Sequence, residues 1–168
     1  RNTICGSCAI RINGRSALAC KENVGSEITR FAPEVPSEEL DNYIPEITIA
    51  PLGNMPVLKD LIVDMSGFWN NLETVSPYVS TAGRKVPERE FLQTPEEREQ
   101  LEETGNCIMC GACYSECNAL EVNSDFVGPH ALAKACRMVE DKRDGETQKR
   151  LEQYNEGTNG AVALVVII

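Results

Sequence analysis

The sequence is poor in histidine, in aromatic residues and in long apolar stretches. It has one histidine and one tryptophan among 168 residues, and aromatic residues make up 5% of the chain. The longest apolar run, residues 161–168, has eight residues, whereas a membrane-spanning helix needs about 20. We therefore expect no transmembrane span. No Ser/His/Asp arrangement, phosphate-binding loop or paired-carboxylate site stands out, so the chain is not expected to make or break substrate bonds by itself.

Positive charge is also scarce. Lys and Arg number 16 against 26 Asp and Glu, which gives a formal net charge of −10 at pH 7. Nucleic-acid binding requires clustered Lys and Arg against the phosphates, so a general nucleic-acid binder is not expected. No charged segment followed by an apolar stretch stands at the front, and no signal peptide is visible. We expect reduced thiols in a cytosol-like compartment.

Cysteine is the residue in excess. The eight cysteines fall into short-spaced sets, which is typical of metal or cluster sites, with disulfides as the weaker alternative. The first set flanks a predicted β-hairpin. Apolar alternation on both sides of Asn13-Gly14 predicts two strands joined by a primed turn. This hairpin would bring Cys8 and Cys20 to the same end of two paired strands.

The rest of the N-terminal half predicts a change of structural class along the chain. Residues 21–45 contain a glycine, three prolines and many acids, which predicts an irregular excursion, and residues 46–50 predict a short strand. From Val57 onward, apolar residues recur at helical spacing, which predicts a helix and the start of a second domain. The predicted domains are therefore residues 1–56 and residues 57–168.

The second half carries helix signals. Thr94, Pro95 and Glu97 supply an N-cap, a proline in the first turn and a capping-box acid. They predict a helix that leads to the second cysteine set. Apolar stripes predict further helices over residues 131–139 and 146–154. The predicted fold is α+β, with an all-α second domain.

The second set has the C-x2-C-x2-C-x3-C spacing of bacterial ferredoxins: Cys107, Cys110, Cys113 and Cys117. A cubane cluster presents several iron atoms to one tight loop, so closely spaced thiolates reach different corners. In two-cluster ferredoxins the fourth cysteine binds the other cluster, which assigns the first three to one site and Cys117 to a neighbouring site. A four-cysteine zinc site is the alternative, although zinc modules usually place their cysteine pairs well apart.

The first set consists of Cys5, Cys8 and Cys20. Plant-type [2Fe-2S] sites read C-x4-C-x2-C with a distant fourth cysteine. A further cysteine would therefore stand five positions before Cys5, just upstream of Arg1. We expect the motif to extend beyond the given start of the chain.

Two remaining residues are not expected to act in the chemistry. Cys136 lies on an apolar helical stripe, which predicts a buried, inert thiol rather than a ligand. His130 follows Gly128-Pro129 at a helix start. We expect this histidine to be structural rather than to transfer protons or bind quinone.

The order of the two cysteine sets and the residues around them resemble the iron-sulfur subunits of succinate dehydrogenase and fumarate reductase, the respiratory complex II family. The resemblance covers nearly the whole chain. The matching stretches are residues 5–9 (Cys-Gly-Ser-Cys-Ala), Asn13-Gly14 before Ala17-Leu18-Ala19-Cys20, residues 47–52 and 56–61, Cys107-Ile-Met-Cys110, residues 126–129 and residues 142–144.

The resemblance implies an N-terminal β-grasp, plant-type ferredoxin-like domain and a C-terminal helical ferredoxin domain. It implies three clusters and their ligands: Cys5, Cys8 and Cys20 for [2Fe-2S], Cys107, Cys110 and Cys113 for [4Fe-4S], and Cys117 for a third cluster, usually [3Fe-4S]. The implied function is electron relay between an FAD-containing subunit, where succinate and fumarate interconvert, and quinone at a membrane anchor subunit. The implied location is the cytoplasmic face of a bacterial inner membrane, with the mitochondrial matrix side as the alternative.

Two departures from the family pattern are visible. Asn118 stands where the family places a proline, close to residues that normally line the quinone pocket. After residues 155–160 the family continues into another cysteine-rich motif, whereas residues 161–168 are apolar. Our hypothesis is that this tail is truncated or read out of frame, which leaves the ligand sets incomplete.

Two other functions stay open from the sequence. One is the iron-sulfur subunit of another flavin-linked dehydrogenase or disulfide reductase, although many of those lack the Cys5, Cys8 and Cys20 set. The other is a zinc-stabilised interaction module.

Overall fold

The chain forms two compact units. A computed structural model describes residues 3–31 and 45–155. The chain divides after Asp64, and the later segment Ile108–Glu116 belongs with the first unit. The first unit is therefore longer than the predicted N-terminal domain and includes part of the second cysteine motif.

The first unit is built on the predicted hairpin. Strand β1 (Ala9–Ile12) pairs with β2 (Arg15–Leu18) in antiparallel register. Asn13 and Gly14 connect them with φ values of 50° and 77°. Two successive positive φ angles define the primed turn whose twist matches that of the flanking strands. The hairpin prediction is confirmed.

The segment after the hairpin differs from its prediction. Helix α1 (Val24–Phe31) lies inside residues 21–45, where we predicted irregular structure. Its first turn is stabilised by Asn23, whose side-chain Oδ1 accepts a hydrogen bond from the backbone N–H of Ser26. Residues 32–44 lie outside the described residues. Strand β3 is shorter than the predicted strand: only Ile49–Ala50 pairs with β1.

The helix predicted from Val57 is wrong. Strand β4 (Val57–Lys59) pairs with β5 (Ile62–Val63) instead, and Asp60 makes the turn between them with a φ of 50°. The apolar residues here include β-branched side chains, which favour strands. Their helical spacing is therefore coincidental. The first helix of the second unit, α2, begins only at Ser66 and ends at Glu73.

Helices make up the regular structure of the second unit within its described residues 65–107 and 117–155, which confirms the α+β class. The remaining helices are α3 (Pro95–Gln100), α4 (Glu102–Gly105), α5 (Ala112–Ser115, in the first unit), α6 (Asn118–Val122), α7 (Pro129–Glu140) and α8 (Thr147–Asn155). None of the helices in the described part of the chain is long and apolar enough to cross a membrane.

The capping box predicted before the second cysteine set is present. The Thr94 side chain accepts a hydrogen bond from the backbone N–H of Glu97, and the Glu97 carboxylate accepts one from the backbone N–H of Thr94. The predicted helix is interrupted between α3 and α4 at Leu101, whose side chain is buried.

The core of the second unit gathers residues from three elements. Val75, Ala131, Ala135 and Tyr154 form a buried cluster. Ala131, Ala135 and Met138 are the buried apolar stripe of α7. Cys136, the next residue after Ala135, is exposed. The prediction of a buried Cys136 is therefore wrong, because consecutive helical positions lie about 100° apart and the stripe passes through its neighbour.

Asp141 is buried between two arginines in the second unit. Arg143 donates from Nε to Oδ1 over 2.8 Å and from Nη2 to Oδ2 over 2.7 Å. Arg137 Nη1 lies 3.5 Å from the same Oδ2. The hydrogen bonds from Arg143 outweigh the effect of burial and lower the pKa of Asp141.

We predict that Asp141 makes the protein less stable in acid. Because its folded-state pKa is depressed, its contribution is fully present above the unfolded pKa of about 3.9 and is lost as the pH falls through the folded value. The thermal unfolding midpoint, measured by circular dichroism, should fall less between neutral pH and about pH 3 in Asp141→Asn than in the wild type. The exposed Asp125→Asn variant is the control and should follow the wild type. An unchanged pH dependence in Asp141→Asn would contradict this prediction.

Candidate metal centre

The first cysteine set is gathered at one end of the hairpin. The backbone N–H of Ala19 donates to the carbonyl of Cys8 over 3.1 Å. This hydrogen bond holds the residue before β1 next to the residue after β2. The Cys20 Sγ accepts a hydrogen bond from the backbone N–H of Thr3 at 3.3 Å. That hydrogen bond and one with Cys8 lower the pKa of Cys20, while the nearby Cys5 opposes the shift. The three predicted ligands therefore lie close to one another.

The loop that carries the first two cysteines is a tight turn. Cys5 Sγ lies 3.2 Å from the hydroxyl of Ser7. Gly6 has a φ of 70°, and its carbonyl accepts a hydrogen bond from the backbone N–H of Ala9 over 3.0 Å. Cys5 is exposed and Cys8 half-buried, and none of the eight cysteines forms a disulfide.

A piece of the second motif completes the first unit. Within Ile108–Glu116, residues Met109 and Gly111 have φ values of 56° and 80° on either side of Cys110. An alternation of φ sign along the backbone turns successive N–H groups toward one concave side, an arrangement common at iron-sulfur sites. Helix α5 begins directly afterward and contains Cys113, which is exposed.

A hydrogen-bond network built on Ser115 holds this segment to the β-sheet part of the unit. Ser115 is 3% exposed. Its Oγ accepts from the backbone N–H of Gly53 over 2.7 Å and lies 2.7 Å from the hydroxyl of Ser16. Asn54 Nδ2 donates to the carbonyl of Tyr114 over 2.9 Å. The sequence carried no signal for this network, because its partners are far apart along the chain.

Glu116 adds a charged contact at the end of the same segment. Its Oε1 accepts a hydrogen bond from the Ser16 hydroxyl over 2.6 Å and lies 3.4 Å from Arg11 Nε. The hydrogen bond from Ser16 is the main cause that lowers the pKa of Glu116. The segment therefore ends in an ionised carboxylate held on the hairpin.

The two cysteine sets touch within this unit at Gly6. A Cβ built on Gly6 would lie 2.7 Å from Cys110 Cβ and 2.8 Å from Cys110 Cα. Real Cβ atoms do not approach other carbon atoms this closely. Only the absence of a side chain at Gly6 allows this approach.

The other predicted ligands, Cys107 and Cys117, belong to the second unit, and the joint arrangement of the four motif cysteines stays a prediction. In the described ranges, no three His, Cys, Asp or Glu side chains are close enough to hold one metal ion. A cluster differs from a single ion, because its thiolates bind separate iron atoms.

The two residues set aside in the sequence analysis lie elsewhere in the second unit. His130 is buried, stacks on the Phe68 ring at 3.8 Å, and its Nε2 lies 2.8 Å from the Phe68 carbonyl. Burial lowers the pKa of His130. Partial desolvation and the Glu140 carboxylate raise the pKa of Cys136, which keeps it a thiol.

The donor set of the first unit fits an iron-sulfur cluster. Thiolates are the ligands that such clusters use, and hydrogen bonds to their sulfurs tune the cluster. Cys20 makes a hydrogen bond with Cys8 and lies near enough to Cys5 for that thiol to affect the pKa of Cys20. The Thr3 N–H provides a hydrogen bond to a ligand sulfur.

Comparisons with known proteins agree with this chemistry. Residues 1–70 match the family described as a 2Fe-2S iron-sulfur cluster binding domain. The chain is 33% identical over 155 residues to the fumarate reductase iron-sulfur subunit of Escherichia coli O6:H1, covering 92% of this chain and 57% of that protein. It is 35% identical over 154 residues to the succinate dehydrogenase iron-sulfur subunit of Coxiella burnetii, covering 91% and 58%.

A solved structure shows the same fold. A chain of the Mycobacterium smegmatis Sdh1 complex in the apo form superposes with a TM-score of 0.73 at 20% identity, covering 96% of this chain and 61% of that one. The present chain spans somewhat more than half the length of the curated relatives it matches. Together, the cysteine sets, the fold and the relatives show that the chain is similar to the iron-sulfur subunits of succinate dehydrogenase and fumarate reductase over more than nine tenths of its length.

Proposed function

We propose that the chain relays electrons between a flavin-containing subunit, where succinate and fumarate interconvert, and a membrane quinone. Three clusters would carry the electrons: [2Fe-2S], [4Fe-4S] and a third cluster of the [3Fe-4S] type. The proposed ligands are Cys5, Cys8 and Cys20 for the first, Cys107, Cys110 and Cys113 for the second, and Cys117 for the third. In this proposal the first domain is a β-grasp ferredoxin and the second a helical ferredoxin.

One observation carries the proposal. The first unit contains Cys5, Cys8 and Cys20 and also includes the segment that bears Cys110 and Cys113. A relay requires successive redox centres to lie close together, and a unit that holds ligands of two motifs supports this requirement. A protein that used its cysteines only to stabilise separate modules would have no need to join them.

The residues around the first set are suited to hold a cluster rather than to perform acid-base chemistry. When bound, a cluster accepts and releases one electron at a time. The thiolate form of Cys20 is favoured because the Thr3 N–H donates to its sulfur. The same hydrogen bond would stabilise the more negative, reduced state of a bound cluster. The exposed positions of Cys5 and Cys20 leave them accessible to a partner surface.

The partners follow from the same proposal. The relatives are named as subunits of fumarate reductase and succinate dehydrogenase. We therefore propose an FAD-containing dehydrogenase subunit on one side and a membrane anchor with quinone on the other. The chain would be a peripheral subunit on the cytoplasmic face of a bacterial inner membrane.

The proposal is tested by reduction with substrate. The complex should be purified anaerobically with its native partners and frozen for electron paramagnetic resonance (EPR), before and after addition of succinate. We expect succinate to reduce clusters that are oxidised in the untreated sample, and dithionite to reduce the remainder. If dithionite reduces the clusters and succinate reduces none of them, the chain serves another flavin-linked enzyme and the proposed function is wrong.

A further inference from the structure

We propose that Gly6 and Ser115 are positioning residues that set the separation between the first cysteine set and Cys110. Gly6 determines how closely the first cysteine set can approach Cys110. Ser115 holds the segment that contains Cys110 at this distance. The inference rests on the proposed function, because it concerns the passage of electrons between the clusters that these cysteines would hold. It adds a role for two residues that carry no ligand atom.

Gly6 and Cys110 approach each other closely. Two requirements for glycine meet at this residue. Its φ is +70°, and a Cβ built on it would lie 2.7 Å from Cys110 Cβ. Gly14 shares only the first requirement, since its φ is 77° and nothing lies within 4 Å of its virtual Cβ. A turn alone needs the positive φ. Of these two turn glycines, Gly6 is the one that also needs the close approach, and it lies between two proposed ligands, Cys5 and Cys8.

Ser115 attaches the Cys110 segment to the β-sheet part of the first unit. Ser115 Oγ accepts a hydrogen bond from the Gly53 N–H on one side and lies against the Ser16 hydroxyl on the other, each over 2.7 Å. Ser16 lies on β2, whose chain continues to Cys20. Gly53 also approaches closely, since a Cβ built on it would lie 2.8 Å from the Ser115 carbonyl oxygen. The segment is therefore fixed by direct, part-buried hydrogen bonds centred on the buried Ser115.

The consequence concerns a one-electron step. With clusters bound, one electron would pass from the cluster held by the first set, which would be oxidised, to the cluster held in part by Cys110, which would be reduced, or in the reverse direction. No bond forms or breaks and no proton moves on these residues. Electron tunnelling weakens steeply with separation, so a residue that sets this contact would influence the rate of transfer. Gly6 places the backbone between two ligands of one cluster directly against a ligand of the other.

The test compares Gly6→Ala with Gly14→Ala in the complete protein. Carbon atoms pack best at about 3.5–4.0 Å, so the new methyl group must push Cys110 away by about 1 Å. With both clusters reduced by dithionite, the magnetic coupling between them broadens or splits their EPR signals, and it weakens with distance. We expect weaker coupling in Gly6→Ala, seen as narrower signals, with unchanged coupling in Gly14→Ala.

Ser115→Ala provides a second variant that leaves the loop of Cys5 and Cys8 intact. It removes the acceptor for the Gly53 N–H, and we expect a weaker and more heterogeneous coupling. If the wild type lacks clusters, the proposed function itself fails. If the clusters are present but both Gly6→Ala and Ser115→Ala keep the wild-type coupling, the positioning role is overturned while the relay stands. If Gly6→Ala loses its N-terminal cluster, an unchanged coupling in Ser115→Ala overturns the role by itself.

Discussion

Replacing Cys20 with alanine is expected to abolish the N-terminal cluster. Cys20 is exposed, so the substitution creates no cavity, and its loss should leave the hairpin folded. Alanine offers no donor atom, and the pKa of Cys20 is lowered by the Thr3 N–H in a way that favours the thiolate. We predict loss of the [2Fe-2S] contribution to the visible absorption and to the EPR spectrum of the reduced protein. The signals of the cubane cluster should persist.

Cys136→Ala is the matched control for this prediction. Cys136 is also a free, exposed cysteine, but it lies on α7, and the nearby Glu140 helps to keep it a thiol. This variant should retain all cluster signals and the iron content of the wild type. Equal loss of the N-terminal cluster signal in both variants would mean that removal of any exposed thiol disturbs the cluster, so that the effect is not specific to Cys20. Full retention of the N-terminal signal in Cys20→Ala would exclude Cys20 as a ligand.

The second large effect is expected at Asp144, which forms a buried ion pair with Arg150. Their side chains are 0% and 4% exposed, with Arg150 Nη2 3.0 Å from Asp144 Oδ1. Burial opposes ionisation of Asp144. The Arg150 guanidinium and the backbone N–H groups of Ser80 and Glu146 outweigh it and lower the pKa of Asp144. The pair is thus held in its charged form by several hydrogen bonds.

Arg150 connects this pair to the chain that follows α2. Its Nη1 donates to the Ser76 carbonyl over 2.8 Å and its Nη2 to the Tyr78 carbonyl over 2.6 Å. Asp144→Ala would leave a buried guanidinium without its carboxylate. Breaking a buried pair in this way typically costs about 3–5 kcal/mol. We expect a large fall in the thermal unfolding midpoint, measured by circular dichroism.

Lys149→Met is the control, because Lys149 is the residue before Arg150 on α8 and pairs with Glu146 but is 74% exposed. An exposed pair of this kind contributes about 0.5 kcal/mol or less, so the midpoint should barely move. If Asp144→Ala shifted the midpoint no more than Lys149→Met, the buried pair would not stabilise the second unit.

The features that were predictable from the sequence are those encoded by neighbouring residues. Asn13-Gly14 determines the hairpin because both residues accept positive φ angles. Thr94 and Glu97 determine a helix start because they satisfy each other's backbone N–H groups. The cysteine spacings predict cluster ligands on the same local basis, and that assignment stays a prediction.

The features that were not predictable depend on residues distant in the chain. The helical spacing after Val57 was misleading, since the segment pairs as two strands whose apolar side chains are exposed. The exposure of Cys136 depends on which side of α7 meets the core. The attachment of Ile108–Glu116 to the first unit depends on Ser16 and Gly53, which no spacing rule connects to Ser115.

The central claim is that the cysteine sets hold iron and sulfide for electron transfer. The most direct test is the iron, zinc and acid-labile sulfide content of the complete protein purified anaerobically, together with its EPR spectrum after dithionite reduction. The account predicts a brown protein that contains iron and sulfide and gives distinct reduced-state signals from an N-terminal and a cubane cluster. A colourless protein that contains zinc, lacks sulfide and gives no such signals would contradict it.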